Sequence, residues 1–423
     1  MYIADLHIHS RFARACSPQL TINNLSIAAK LKGIQLLGTG DFLHPLYLAE
    51  IKKDLKQNSN GLYENEGTNF VLSTEVSLIY SHNGKLRRIH LVTIVPSIEV
   101  AEKLQSELSK RNAKLSSDGR PIIGMSVEVY CEIVFSITPD AILIPAHIWT
   151  PFFGMFGSKS GYEDFEECFG QFSKNIYAIE TGMSSDPAMN WRVGQLDNKS
   201  IVSFSDPHSL PKMGREATEF AGELSYKGLL NDLKTRNIKS TIEFYPEEGK
   251  YHFDGHRNCD YSQSPEKTRQ NGVVCPKCGR NLTVGVMYQV DKLATRTEES
   301  LKIKKTEKGI ESEAFPERGS YQMLVPLQEI IAETFHIGVS SKKVIAQYQK
   351  ITESLGDEIK ILSKTPISEI AKVSSEKIAQ AVQKVRSGDL VIKPGFDGLY
   401  GVVKIWDEEA DNTQIPQLAL FDS

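Results

Sequence analysis

Histidine and carboxylate residues follow most of the short apolar segments in the first 245 residues, and this feature constrains the fold more than any other. The opening segment MYIADLHIHS places His7 and His9 on alternate positions after an apolar start. Alternate residues of a strand project to one side, so these two side chains would converge. Further segments of this kind are IQLLGTGDFLHP, NFVLSTEVS, RRIHLVTIV, AILIPAHIW, IYAIETG and KSIVSFSDPHS. Helix-like stretches separate them, so the pattern predicts a parallel α/β fold.

The side chains that follow successive strands indicate where a functional site would form. Residues at the carboxyl ends of strands line the active site of a closed β/α barrel, so we expect such a barrel with metal ligands at its rim. A single buried histidine is more often a hydrogen-bonded core residue than a ligand. Here histidine and carboxylate residues recur after successive predicted strands, which favours a role as metal ligands. The candidate ligands are His7, His9, Asp41, His44, Glu75, His90, His147, Asp206 and His208.

This set of side chains also indicates a metal and a reaction. Imidazole together with carboxylate favours Zn, Mn or Fe over Mg or Ca, although Mg stays compatible. The set exceeds what one tetrahedral ion needs, so we expect two to three ions. Such ions activate water and stabilise charge at phosphorus, which makes phosphate-ester hydrolysis the expected chemistry. Asp5 either orients a ligating histidine or is a carboxylate in a strand-end turn.

These residues resemble the polymerase and histidinol phosphatase (PHP) family of phosphoesterases. The resemblance implies a distorted seven-stranded (β/α)7 barrel that holds up to three metals, with Asp206, Glu75, His7 and His9 as catalytic residues. It assigns the first metal to His7, His9, Glu75 and Asp206, and the second to Glu75, His90 and His147. It assigns the third to Asp41, His44 and His208. In many members the Asp and His of the second motif are adjacent, whereas two residues separate Asp41 from His44 here.

A second cluster of metal-type residues lies outside the barrel segment. His256-x-x-Cys259 and Cys275-x-x-Cys278 have the two-residue spacing of a structural zinc site. His252 is the alternative fourth ligand, but it breaks that spacing, which favours His256. Four protein ligands leave no coordination position for a substrate, so we expect this one zinc to be structural.

The domain organisation follows from these features. We predict a PHP phosphoesterase barrel over 1–245, an inserted zinc-binding subdomain over 246–305, and a helical domain of DNA-binding type over 306–408. The charged segment KIKKTEKGIESEAFPERGS predicts a linker or mobile loop, and apolar residues at three- and four-residue spacing predict the helices after it.

The last segment, 409–423, is predicted to be a flexible tail. It resembles the bacterial sliding-clamp binding peptide, which implies that a clamp would bind Gln417, Leu418, Leu420 and Phe421. The alternative is a tail that docks on its own domain.

Composition limits the partners and the location of the chain. The formal net charge of -4 gives no global attraction to nucleic acid, so DNA binding would require local basic patches. The start of the chain does not read as a signal peptide, and no apolar run is long enough to span a membrane. We therefore expect a soluble cytoplasmic protein.

Taken together, the parts resemble the endonuclease Q family over essentially the whole chain. The zinc element YHFDGHRNC…CPKCGRNLTVGV and the stretches ETGMSSDPAMNWR, LPKMGREAT and YQMLVPLQEIIAETFHIG carry this resemblance. It implies a repair endonuclease that incises DNA on the 5′ side of uracil, hypoxanthine, xanthine and abasic sites. Phe204 stands where members usually carry Asn, which implies a different choice of lesion.

A lesion enzyme of this kind must take a base out of the stack and hold it in a pocket. We expect the loops after His147 and Glu180 to form that pocket, with Ser184 and Asn190 as hydrogen-bonding residues. The predicted phosphate contacts are Arg11, Arg14, Lys159, Arg192 and Arg215, and the predicted stacking residues are Phe152, Phe153 and Trp191. The alternative for each of these residues is that it packs inside the protein or carries a surface charge, without contacting DNA.

Two other functions stay open at this point. One is a small-molecule phosphatase of the histidinol-phosphate type, against which the zinc element, helical domain and tail argue. The other is a non-catalytic scaffold that brings a clamp to DNA, which would be expected to lack some ligands.

Overall fold

The fold is seen in a computed structural model that describes residues 1–407. The strands are β1 (Tyr2–Asp5), β2 (Leu36–Gly38), β3 (Lys56–Gln57), β4 (Tyr63–Asn65), β5 (Thr68–His82), β6 (Lys85–Val95), β7 (Ile122–Ile123), β8 (Ile142–Pro145), β9 (Ala178–Glu180), β10 (Ser200–Val202), β11 (Ala217–Phe220), β12 (Ile238–Glu243), β13 (Asp254–His256), β14 (Tyr261–Gln263), β15 (Ile303–Thr306), β16 (Gly309–Ser312), β17 (Ser320–Met323), β18 (Val391–Lys393) and β19 (Val402–Lys404). The α-helices are α1 (Ile22–Lys32), α2 (Pro45–Asp54), α3 (Ile98–Lys110), α4 (Val127–Ile137), α5 (Phe165–Phe169), α6 (Pro187–Trp191), α7 (Tyr226–Thr235), α8 (Pro265–Asn271), α9 (Val286–Leu293), α10 (Leu327–Phe335), α11 (Lys342–Leu355), α12 (Glu358–Ser363), α13 (Ile367–Val373) and α14 (Glu376–Ser387).

The main sheet has mixed strand directions. Its hydrogen-bonded order is β15-β16-β17-β12-β11-β1-β2-β5-β4-β3, with β6 joined to β5 and β8 joined to β6. β1, β2 and β5 run parallel, whereas β11 is antiparallel to β1 and β6 is antiparallel to β5. β9 and β10 form a separate parallel pair. The predicted α/β class is confirmed, but across residues 1–407 the strands do not close into one hydrogen-bonded barrel.

Helix α1 shows how the local sequence builds the layer that covers the sheet. The Thr21 side chain accepts a hydrogen bond from a backbone N–H in the first turn, and Gly33 ends the helix in the left-handed region with φ 85°. Ile22, Leu25 and Ala29 are buried at helical spacing and share one core cluster with residues of β2 and β5. Burial of each larger aliphatic side chain stabilises such a layer by roughly 1.5–3 kcal/mol.

The long hairpin of β5 and β6 positions two candidate ligands on the same face of the sheet. The ladder pairs Ser77 with His90 and continues to Glu75, two residues before Ser77. Directly opposed residues share a face, and so do residues two apart along a strand. Glu75 and His90 therefore project to the same side.

The charged segment predicted to be a linker is part of the main sheet. β15 and β16 form an antiparallel hairpin, and β16 pairs with β17, which runs parallel to β12. The prediction of a mobile loop is wrong for this reason. Its strands lie at an exposed edge, where lysine and glutamate side chains remain in water and the apolar alternation is weak.

The predicted helical C-terminal region is confirmed. Helices α10 to α14 enclose a hydrophobic cluster of their own, with Leu327, Ile330 and Ile351 among its fully buried side chains. A small hairpin of β18 and β19 follows the last helix. In the part of the chain from 1 to 407, no helix is long and apolar enough to cross a membrane.

Candidate metal centre

Four of the predicted ligands converge at the end of β1. His7 and His9 follow this strand, Glu75 lies within β5, and Asp206 lies in the loop after β10. One ligand atom from each lies within 4.8 Å of the others. His9 Nε2 is 2.9 Å from Asp206 Oδ1 and 3.3 Å from Glu75 Oε2. Asp206 has φ 42°, and its N–H donates to the carbonyl of His7, which fixes the loop against β1.

A second group of ligand atoms shares Glu75. His90 Nδ1 lies 2.6 Å from Glu75 Oε1, and His147 Nε2 lies 3.3 Å from the same oxygen. His147 follows β8 and has φ 30°. One carboxylate oxygen thus faces His7 and His9, while the other faces His90 and His147. A carboxylate placed in this way could serve two metal ions a few Å apart.

The bonding state of these atoms fits a cation. His7 Nε2, His9 Nε2, Glu75 Oε1 and Asp206 Oδ1 are buried and lack a hydrogen-bond partner among the described residues, although they lie close together. Buried polar atoms without partners are costly, and cations held by the two ligand groups would satisfy them. Imidazole nitrogens with carboxylate oxygens are a donor set suited to Zn or Mn.

The charge states of the ligands follow from burial and from one another. Burial acts to raise the pKa of Glu75, but the nearby His90 and His7 hold it well below its usual range. Burial lowers the pKa of His90 to about 4, although the Glu75 carboxylate acts to raise it. The carboxylates overcome the effect of burial on His7 and hold its pKa well above the usual value. Metal binding at His7 would therefore displace a proton.

Two carboxylates orient the histidines from behind. Both carboxylate oxygens of Glu180 lie 3.0 Å from His7 Nδ1, and Glu180 Oε2 also accepts a bond of 2.8 Å from the N–H of His147. Asp41 Oδ1 lies 3.3 Å from His9 Nδ1. A carboxylate on the second ring nitrogen fixes the tautomer and the direction of a ligating imidazole. Glu180 was not among the predicted ligands, although its place after an apolar segment fits the same pattern.

The predicted third ligand group is not assembled. Asp41 faces His9, whereas His44 lies at the start of α2 and stacks on Phe12 with 4.4 Å between ring centroids. The imidazole of His208 lies beside that of His9 instead, with 5.2 Å between centroids. Among the residues from 1 to 407, the His/Asp/Glu groups close enough to share an ion are the two that contain Glu75.

Asp5 holds the loop that carries Asp206 and does not contact a ligating histidine. Its carboxylate accepts hydrogen bonds from the N–H and hydroxyl of Ser205 and from the N–H of Gly214. Burial raises the pKa of Asp5 to about 7. Of the two alternatives from the sequence, the strand-end carboxylate describes this geometry.

An arginine that the sequence analysis missed reaches the bridging carboxylate. Arg120 Nη1 lies 3.2 Å from Glu75 Oε2, and Glu75 raises the pKa of this guanidinium. The Arg120 loop is held by Asp118, which accepts from the N–H groups of Arg14 and Arg120. The neighbouring Gly119 lies so close to Asp41 that a Cβ atom would meet its carboxylate at 2.4 Å.

A cavity of about 540 Å³ opens beside the two ligand groups. Its wall includes Phe204, Ser184 and Glu216 on the side of β10 and β11. Ser184 Oγ and Glu216 Oε2 are buried and have no hydrogen-bond partner within the described chain. Burial raises the pKa of Glu216 well above its usual value, with Glu243 as a further cause, so a protonated carboxyl is available there.

The predicted DNA contacts divide into two sets. Arg14, whose side chain is 80% exposed, lines the cavity with Ser184 and Phe153, and Lys159 is exposed. Arg11 is partly exposed and pairs with Glu50.

The other predicted contacts are engaged inside the protein. Asn190 is buried, accepting from Trp149 Nε1 and donating to Ser185, and Arg192 pairs with Asp291. Trp191 is also buried. Arg215 donates to the carbonyls of Ser205 and Asp206 and so holds the loop. The structure gives these four residues structural roles.

The predicted zinc ligands also come together. One ligand atom from each of His256, Cys259, Cys275 and Cys278 lies within 4.8 Å of the others. The second knuckle closes through the N–H of Cys275, which donates to the carbonyl of Arg280, and Gly279 has φ 75°. His252 is instead buried and lines the cavity. The geometry thus groups His256, not His252, with the cysteines.

The predicted clamp-binding residues Gln417, Leu418, Leu420 and Phe421 lie outside the described residues.

Comparisons with known proteins support the fold. Residues 326–389 match the family described as the MJ0043 C-terminal domain. The chain is 27% identical to the uncharacterized protein YqxK of Bacillus subtilis, covering 95% of this chain and 98% of that protein. It is 26% identical to the uncharacterized protein MJ0043 of Methanocaldococcus jannaschii over 73% of this chain. The match spans 40% of the length of MJ0043.

Solved structures give the strongest likeness. The lesion-specific endonuclease PfuEndoQ from Pyrococcus furiosus is similar with a TM-score of 0.81 and 28% identity, over 97% of this chain and 98% of that one. Endonuclease Q in complex with a 27-mer duplex substrate that has an abasic lesion at the active site is similar with a TM-score of 0.82 and 29% identity. This match covers 99% of this chain and 100% of that one. The resemblance to endonuclease Q predicted from the sequence is confirmed over nearly the whole chain.

Proposed function

We propose that this chain is a metal-dependent DNA repair endonuclease that hydrolyses the phosphodiester on the 5′ side of deaminated bases and abasic sites. The comparisons support a hydrolase that acts as a nuclease. The observation that carries the proposal is the position of Glu75, whose two oxygens face two separate histidine groups beside the cavity. Such a bridged pair suits in-line displacement at phosphorus.

The residues have distinct roles in this proposal. His7, His9, Glu75 and Asp206 would hold one ion, and Glu75, His90 and His147 would hold the other. Bound ions would lower the pKa of a coordinated water and so supply the hydroxide that attacks phosphorus. Glu180 and Asp41 keep the imidazoles aligned. We propose two ions at this centre and the PHP type of distorted barrel, for which the convergence of the β1, β5, β6 and β8 residues is the support.

Arg120 completes the centre as a phosphate contact. Its guanidinium lies 3.2 Å from the bridging carboxylate and is 26% exposed toward the cavity that it lines. A guanidinium can bind two phosphate oxygens at once and stabilise charge that develops on them. Arg14 and Lys159 supply further positive charge near the phosphodiester backbone.

The cavity beside the ions would receive the damaged nucleotide. Damaged or mispaired bases cost least to extrude from the duplex. The hydroxyl of Ser184 and the protonated carboxyl of Glu216 offer hydrogen bonds to the edge of such a base. Phe204 contributes only apolar surface here. We propose zinc at the His256 cluster as a structural element, and the tail after 408 as the contact to a sliding clamp.

A nicking assay tests the proposed activity. Purified protein supplied with Mn or Zn is expected to cut an end-labelled duplex that contains one deoxyuridine, deoxyinosine or abasic site, and to leave the undamaged duplex intact. Asp206→Ala should abolish cutting, whereas Glu102→Gln on the exposed face of α3 should not. Equal cutting of undamaged DNA, or hydrolysis of p-nitrophenyl phosphate alone, would reject the repair function and favour a small-molecule phosphatase.

A further inference from the structure

The turn between β18 and β19 is docked against the cavity wall by its backbone. The N–H of Gly395 donates to the carbonyl of Glu247 at 2.8 Å, and the N–H of Gly398 donates to that of Lys250 at 2.9 Å. The N–H of Gly401 donates to the carbonyl of Glu248 at 3.0 Å. A Cβ atom on Gly401 would lie 2.0 Å from the carbonyl oxygen of Glu247, so the approach requires glycine. The turn is therefore fixed relative to the cavity.

This docked turn presents an aromatic ring at the rim of the cavity. Tyr400 lines the cavity, yet its side chain is 72% exposed. The ammonium of Lys250 lies 4.4 Å from the ring centroid and covers one face. Stacking on both faces at once, as in a wedge driven between base pairs, is therefore disfavoured. One face remains for a single flat partner.

The position of the ring and its chemistry indicate what that partner is. In DNA a nucleobase presents a π-face, and the sugar that carries it is linked to a phosphate that a neighbouring cation can contact. Tyr400 and Lys250 combine these two requirements, and they lie at the same cavity as Glu75's histidine partners His90 and His147. A peptide or a small phosphate monoester would leave the exposed ring without a role.

We propose that Tyr400 is the stacking platform for the lesion base after it has left the duplex, with Lys250 set to contact the adjacent phosphate. This inference rests on the proposed function and specifies how the substrate is held. The ring supplies contact area, so Tyr400→Phe retains the platform and Tyr400→Ala removes it. The platform is used only when a base is present, so an abasic substrate does not depend on it.

The two kinds of lesion provide the test. Single-turnover cleavage with Mn is measured on matched duplexes that contain one deoxyuridine or one abasic site. Tyr400→Ala is expected to slow cleavage at deoxyuridine by about tenfold, the effect of losing one base–aromatic stack. Cleavage at the abasic site should stay within about twofold of the unmodified protein, since no base is there to stack.

Leu399→Ala is the matched control. Leu399 is a 42% exposed apolar residue on the same turn, and it is not part of the cavity wall. It should leave both rates unchanged, and thermal unfolding should show that neither substitution disturbs the fold.

Each other outcome has a definite meaning. An equal loss on both lesions would overturn the proposal, because the ring would then contact the DNA backbone or the duplex and not the base. No loss on either lesion, or a loss in Tyr400→Phe as large as in Tyr400→Ala, would overturn it as well. If the unmodified protein cuts neither duplex, the proposed function itself fails, which is a distinguishable result.

Discussion

The two metal-type clusters of this molecule are built in opposite ways. The ligands around Glu75 come from segments between His7 and Asp206, and the sheet brings them together. The ligands from His256 to Cys278 come from one short segment, which contains the end of β13, strand β14 and the short helix α8. Glu75 is buried, whereas Cys278 is exposed. The overall fold brings the ligands of the first cluster together, whereas the second cluster has to stabilise the local structure of its own segment.

The groups that surround the two clusters also differ. The Glu75 centre is surrounded by charged groups that balance its ligands, namely Glu180, Asp41 and Arg120. The cysteine cluster contains no carboxylate or arginine, and its thiols contact one another and His256. Without an ion, the first centre keeps ion pairs that hold it together, and the second loses its main stabilising interaction. This contrast predicts that metal removal unfolds the local structure of the cysteine cluster. At the Glu75 centre, metal removal should abolish activity and leave the structure in place.

The largest expected effect is at the bridging carboxylate. Glu75→Gln removes the negative charge shared by both histidine groups, so the variant should bind neither ion tightly and cleavage should fall at least about a thousandfold. Zinc measured by elemental analysis should remain at the cysteine cluster. A Glu75→Gln protein that still cuts at a tenth of the normal rate would contradict the bridging role.

The second prediction concerns the cysteine cluster. Cys275→Ser should lose the structural zinc and unfold the segment around β13, β14 and α8, because structural zinc sites fold with their metal. Hydrogen exchange should rise in this segment, while Mn binding at the Glu75 centre stays unchanged. Cys131→Ser, a buried thiol in α4, is the control for loss of a cysteine. Unchanged exchange after zinc loss would break the contrast between the clusters.

The third prediction tests the groups that align the histidines. Glu180→Gln keeps the size of the side chain and removes its charge, so the affinity of the centre for Mn should fall by about 10- to 100-fold. Excess Mn should restore most of the cleavage rate. Glu223→Gln, a surface carboxylate before α7, is the comparison. Loss of cleavage that added Mn does not restore would show that Glu180 acts in the chemistry directly.

The fourth prediction separates binding of metal from reaction with DNA. Arg120 competes with cations for Glu75, so Arg120→Ala should bind Mn more tightly, by about tenfold, and yet cut DNA about 100-fold more slowly. Calorimetry and single-turnover cleavage measure the two effects. Arg14→Ala removes a mostly exposed arginine of the same cavity and should change Mn binding little. Weaker Mn binding in Arg120→Ala would contradict the competition.

The smallest expected effect is a pH dependence of protein stability that arises from the buried carboxyl of Glu243. Burial raises the pKa of Glu243, whose carboxylate accepts from Thr181 and Ser203. Between the ordinary carboxyl pKa and this raised value, the folded state binds more protons than the unfolded state, so stability falls as pH rises through that window.

Removing this carboxyl should flatten that dependence. Glu243→Gln should be more stable than the unmodified protein at pH 8, by roughly 1–2 kcal/mol, and the difference should shrink toward pH 5. Thermal unfolding at a series of pH values measures it. Glu219→Gln is the control, since Lys239 and Ser240 lower the pKa of Glu219 despite burial, so its effect on stability should change little between pH 5 and pH 8. A larger gain at pH 5 than at pH 8 would contradict the assignment.

The sequence predicted the parts of the site that follow from strand periodicity or local spacing. His7 and His9 lie on alternate positions just past the end of β1 and converge there, and the four predicted zinc ligands come together because two knuckles have fixed spacing. The α/β class followed from alternating segments. Whether each candidate ligand binds an ion stays a prediction.

Other parts depend on distances that no sequence pattern contains. Arg120 reaches Glu75 from an irregular loop, which Asp118 and the close packing of Gly119 on Asp41 hold in place. Asp41 was expected to bind a third ion, but its carboxylate faces His9. Asn190 and Arg192 looked like DNA contacts because they are polar and near the right segment, yet partners inside the fold engage them. The β15 and β16 strands were missed because an exposed edge needs few apolar residues.

The docked turn of β18 and β19 also sets an order of events during synthesis. The ligands of the Glu75 centre lie no later than Asp206 and the residues that hold its loop no later than Arg215, whereas Tyr400 and the rim that it forms come from a much later segment. Domains emerge and fold from the N-terminal side on the ribosome. A nascent chain therefore acquires its ion-binding centre while the cavity wall is still open. Translation that stops between these segments would yield a centre without its selective rim.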